Sequence, residues 1–147
     1  MLRETAEDKR KQTRLFEVAS KINGLKFKQF KSSSNKFRID GFFYDDDLNI
    51  KLWAECKWYS GKAHLYLNMA KFNELVYLSE YSKCQSILLF REYDNWGYVV
   101  IHDGNKIKCD YEVKLLGGTP KDRVVNDDDI EPLIKINRNN IVWGKKD

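Results

Sequence analysis

Leu15, Val18, Ala19 and Ile22 recur at helical spacing among charged neighbours, so an amphipathic helix is expected from about Arg3 to Ile22. Asn23-Gly24 supplies its stop, because both residues accept the left-handed conformation in which helices end. On that helical wheel Asp8 and Gln12 lie on the side of the apolar stripe, whereas Glu17 points away. The period then changes to two. "LKFKQFK" (25–31), "KFRIDGFFY" (36–44) and "IKLWAECKW" (50–58) alternate and predict three antiparallel strands. The turn-forming "SSSN" and "DDDLN" separate them.

Leu67, Ala70, Leu75 and Leu78 predict a second helix that starts between His64 and Leu67. "CQSILLF" is expected as a short buried strand, followed by strands in "WGYVVI" and "KIKCDYEVKL". "VVNDDDIEPLIKINRNNIVW" predicts one or two terminal strands closing the sheet. The 147-residue chain is thus expected to form one α/β (α+β) domain with a mixed central sheet flanked by helices. The order is helix, three-stranded meander, helix, further strands.

Within the third strand alternation puts Ile50, Leu52, Ala54 and Cys56 on one face and Lys51, Trp53, Glu55 and Lys57 on the other. On the second strand Arg38, Asp40, Phe42 and Tyr44 share a face. If the hairpin is centred between Asp47 and Leu48, Asp40 faces Glu55 across the ladder. Charge alternating along an exposed strand needs no chemical reason, so Glu-Cys-Lys carries weight only with Asp40 opposite. Two opposed carboxylates repel unless a cation lies between them. Hard carboxylate oxygens suit Mg²⁺, with Mn²⁺ as a substitute, and a lysine beside them orients or deprotonates a water. These are the parts that phosphodiester hydrolysis requires.

Composition narrows the setting. Apolar residues at 42% and charged residues at 33% are ordinary for a globular protein, and no apolar run is long enough to span a bilayer. "MLRETAEDKRKQ" lacks the apolar centre of a signal peptide, so a cytoplasmic protein without a membrane partner is expected. Cys56, Cys84 and Cys109 form no metal-binding pair, and His64 and His102 are far apart in sequence. Net charge is +4, and up to position 40 cations such as Lys9, Arg14, Lys28 and Arg38 far outnumber acids, which favours a polyanionic partner.

"RIDG" and "AECK" resemble the signature of the PD-(D/E)XK nuclease superfamily, whose restriction-endonuclease-like core has the expected element order. Through "SILLF" the layout is similar to archaeal Holliday-junction resolvases. A closer likeness is to small phage-type nucleases, with D-R-x-x-E in helix one, "VDY", "EIK", a lysine early in helix two and a late "D-x-EP". Here the matching stretches are "DKRKQ" (8–12), "IDG", "ECK", Lys71 in "NMAKFNE", and "DIEP" (129–132).

The resemblance implies a Mg²⁺-dependent DNA endonuclease with little sequence specificity. Asp40, Glu55 and the Cys56 backbone carbonyl would ligate metal, Lys57 would activate the water and Gln12 would support it. Lys71 would face phosphate; Lys62, Arg38 and Tyr59 would add contacts to DNA, with Trp58 as a further stacking surface and Trp53 packed. The chain departs from the pattern in carrying Gln12 where helix one has an acid, with Asp8 one turn earlier, and in "KWY" after the strand acid. Those departures leave open an inactive DNA-binding or assembly module of the same fold, or a dimeric resolvase of branched DNA.

Overall fold

The computed structural model describes residues 5–31, 37–59, 64–117 and 130–144. Helix α1 (Ala6–Asn23) is followed by β1 (Lys26–Gln29), β2 (Gly41–Tyr44), β3 (Ile50–Tyr59) and β4 (Leu65–Asn68). Helix α2 (Met69–Ser82) leads into β5 (Gln85–Glu92), β6 (Asn95–His102), β7 (Tyr111–Gly117), β8 (Ile130–Ile136) and β9 (Val142–Trp143). The architecture is mixed α+β: a six-stranded sheet in the order β1-β2-β3-β5-β6-β9, with a three-stranded sheet β4-β8-β7. Only β3 and β5 run parallel within these ladders, as a crossover through α2 demands.

Helix α1 is fixed at both ends. The Thr5 hydroxyl accepts the Asp8 N–H while the Asp8 carboxylate accepts the Thr5 N–H, a reciprocal capping box. Gly24 ends it at φ 73° and donates its N–H to the Ser20 carbonyl. Leu15, Phe16, Val18 and Ala19 pack on one face of the large sheet, whereas Ile22 is 52% exposed and lies outside the expected stripe. Phe16 sits within 5.4 Å of the Phe27 ring and 5.3 Å of the Phe43 ring, centroid to centroid.

The opposite face of the sheet is covered by α2 and the small sheet. Trp53, Leu88, Phe90, Val99 and Ile101 meet Phe72, Leu75, Leu65, Leu67, Ile134 and Ile136 there. β5 sends Ile87 and Leu89 toward α1 but Leu88 and Phe90 toward α2, which is why "SILLF" is uninterruptedly apolar.

Three expectations are corrected. The second strand is short, Gly41–Tyr44, because residues 37–40 leave the ladder. Leu65–Asn68 is a strand rather than the start of α2; Asn68 instead caps the helix by accepting the Lys71 N–H. Of the terminal strands, β9 closes the large sheet against β6, while β8 joins the second sheet. A further difference is local: Phe43 pairs with Leu52 but Tyr44 with Ile50, so Lys51 is an extra residue and the alternation flips. Ile50 thereby packs in the core that holds Trp53 and not with Leu52.

Gly41 marks where α1, β1 and β2 approach most closely. A Cβ there would fall on the Lys28 carbonyl oxygen and 2.8 Å from the Phe16 ring. Gly41→Ala is therefore expected to destabilise the protein by about 1–3 kcal/mol through overpacking, read as a lower melting temperature, while an exposed substitution such as Glu17→Ala leaves melting nearly unchanged.

Candidate functional site

The ladder ends with Gly41 opposite Ala54, so the expected Asp40–Glu55 pair lies one step beyond it. Asp40 is close enough for its charge to act on Glu55, in a register set by the extra residue Lys51 and not by a hairpin centred between Asp47 and Leu48. The Asp40 N–H donates to the Ala54 carbonyl (3.2 Å) and its own carbonyl accepts the Phe30 N–H (2.8 Å), pinning the residue at the point where the chain leaves β2. Its side chain turns back on β3, and Oδ2 accepts the Cys56 N–H at 2.8 Å. That buried, charge-assisted bond orients Asp40, which is only 9% exposed.

Glu55 is 1% exposed and faces α2. Its Oε2 accepts a 2.7 Å hydrogen bond from Lys71 Nζ, and Lys57 Nζ lies 3.9 Å from the same oxygen. Oε1 is buried and has no hydrogen-bond partner among the described residues. Burial, then the nearby Asp40 charge, pushes the Glu55 carboxyl up to about 8, overcoming the opposing pull of Lys71 and Lys57. The Cys56 thiol is pushed well above its usual range, by burial first and then by Asp40 and Glu55, so sulfur chemistry at this position is disfavoured.

The donors fit a hard divalent cation. A buried carboxyl oxygen that has no partner among the described residues is costly, and a bound cation would satisfy it. In an extended strand N–H and C=O of one residue leave by the same edge, so the Cys56 carbonyl heads toward the side where Asp40 lies. Two carboxylates and a carbonyl, with water completing the shell, suit Mg²⁺. Among the described residues no group of three or more His, Cys, Asp or Glu side chains forms a metal-binding cluster, so side-chain ligation would rest on Asp40 and Glu55.

Lys71 stands on the first turn of α2 and lies against Glu55, not turned outward. Gln12 is half-buried and accepts from Gln29 Nε2 at 3.4 Å; Gln29 pairs with Gly41, one residue from Asp40. Asp8 is engaged in the cap of α1. Arg38 is exposed, with its N–H donated to Glu74 Oε2 at 2.8 Å, and it lies in the bend before β2, so no strand face places it beside Asp40. The Tyr59 ring packs edge-on against Phe90, and burial followed by the charges of Glu55 and Glu92 pushes its hydroxyl up to about 12. Trp53 is core, donating Nε1–H to Ser82 Oγ at 2.9 Å. Trp58 lies on the α1 side, with the Arg91 guanidinium 4.6 Å from its ring centroid and Lys11 Nζ 5.9 Å away. Lys62 and the acid run 127–129 lie outside the described residues.

Two neighbours escaped the sequence. Lys9 reaches from α1 to the Phe30 carbonyl (2.6 Å), the residue that also holds Asp40. Glu92, paired with Tyr59 across the parallel ladder, is 5% exposed and takes Arg138 in a bidentate grip at 3.0 and 2.6 Å. No local pattern announces a pair so far apart in sequence.

No family model matches this chain, and neither a curated protein nor a solved structure matches it. Among the described residues no helix is long and apolar enough to cross a membrane.

Because the Glu55 carboxyl binds its proton more tightly in the folded chain than in the unfolded one, the stability it contributes is complete below the usual value of 4.5 and is lost as pH rises through about 8. Metal-free protein is thus expected to lose stability across that window, by at most about 1.4 kcal/mol per pH unit from this group. Denaturant unfolding at several pH values reads the slope; Glu55→Gln flattens it, and an unchanged slope in the variant would refute the assignment.

Proposed function

We propose that this protein is a metal-dependent DNA endonuclease of the PD-(D/E)XK type, with the restriction-endonuclease-like fold. The observation that carries the reading is the closeness of Asp40 to Glu55, whose Oε1 is buried with no partner among the described residues, with Lys57 and Lys71 beside them. A divalent cation bound there would neutralise charge on a phosphate oxygen and acidify water. Asp40 and Glu55, with the Cys56 carbonyl, would hold it.

Lys57, part-exposed 3.9 Å from Glu55 Oε2, would donate a hydrogen bond that orients a water approaching the phosphate. Lys71, hydrogen-bonded to Glu55 at 2.7 Å, keeps that carboxyl group in place and would present positive charge to the phosphate. The basic first 40 residues fit a DNA backbone bound without reading of sequence.

One observation favours a second reading. Gln12 brings an amide, not a charge, to the neighbourhood of Asp40 through Gln29. In that reading the fold binds DNA and has given up cleavage.

Purified protein is expected to cleave a labelled panel of duplex, nicked, single-stranded and four-way-junction DNA in Mg²⁺ or Mn²⁺ but not in EDTA. Lys57→Ala should lower the rate by roughly 100-fold or more, with salt-sensitive binding retained. Cleavage that ignores metal or Lys57 would overturn the metal-dependent mechanism at this site; binding with no cleavage under any divalent metal would establish the second reading.

A further inference from the structure

Strand β7 ends the small sheet, and among the described residues no strand pairs with its outer edge. Asn137 donates its N–H to the Asp110 carbonyl at 2.9 Å. With Tyr111 opposite Ile136, alternation then makes Glu112 and Lys114 the residues whose backbone groups face β8. The N–H and C=O groups of Tyr111, Val113 and Leu115 consequently face outward along the open edge. The side chains of these three residues form one row, 43%, 54% and 71% exposed, opposite the buried Ile136 and Ile134 and then Pro132. Glu112 and Lys114 occupy the other face of the strand.

An apolar edge with unpaired backbone groups is a template for another strand. We propose that β7 pairs antiparallel with β7 of a second copy of this chain, across a twofold axis through Val113. In that register Val113 meets Val113, Tyr111 meets Leu115, and Glu112 meets Lys114 twice over. The outward backbone groups of all three apolar residues exchange hydrogen bonds in pairs, and the two small sheets become one continuous sheet.

Charge selects this register from its neighbours. A twofold centred on Glu112 sets two carboxylates opposite each other, and one centred on Lys114 sets two ammonium groups opposite each other. A lone lysine on an edge holds strands apart; a lysine two residues from a glutamate meets that glutamate of the second copy in the twofold arrangement. The interface closes on itself and therefore stops at the dimer. The measurement that tests it does not depend on cleavage.

Sedimentation velocity of the full chain at micromolar concentrations is expected to show a reversible dimer. Glu112→Lys and Lys114→Glu should each weaken it by roughly tenfold or more. The double reversal should restore it, and mixing the two single variants should give a heterodimer. Val113→Pro, which removes an N–H from the open edge, should yield a monomer with an unchanged circular-dichroism spectrum. Wild-type protein that stays monomeric throughout, or a dimer indifferent to both single reversals, would overturn the proposal.

Discussion

The bond from the Cys56 N–H to Asp40 Oδ2 decides the shape of the site. It forms because the chain quits β2 at Gly41, leaving Cys56 of the longer β3 without a backbone partner on that edge. The Asp40 carboxylate replaces the missing carbonyl. A buried N–H is thereby satisfied, and a negative charge is fixed next to the most deeply buried acid of the candidate site.

Glu55 then has an environment that no ordinary core residue would tolerate. Desolvation and the Asp40 charge oppose its ionisation, while Lys71 and Lys57 favour it. Buried acids occur at functional sites and in structural ion-pair networks alike; Glu92, buried and paired with Arg138, is of the second kind.

Much of this arrangement was legible in one dimension because the decisive contacts are local. Asp40 and Glu55 flank one hairpin, so the alternation and the turn between them bring the two acids close in the sequence reading, while the extra residue Lys51, which periodicity does not show, sets the register that leaves Asp40 next to Glu55. Helix α1, with its stop at Asn23-Gly24, is equally a matter of nearby residues. What periodicity misses is any element whose pattern is ambiguous over a few residues. "LYLN" runs on into helical sequence, yet it is a strand because β8 offers it a partner more than sixty residues away in the chain.

The amino-acid sequence by itself determined which residues carry charge, that a turn around 45–49 joins two strands, and that an aspartate and a glutamate come near one another beyond it. Tertiary structure decided what those charges meet. Lys71 lands on Glu55 only because α2 crosses over β3, Glu92 finds Arg138 only after the small sheet folds down, and β7 acquires an open edge only because β8 takes its other side. Spacing along the chain specifies hydrogen bonds within a turn or a ladder, whereas burial and ion pairing between distant segments exist only once packing has excluded water from the space between them.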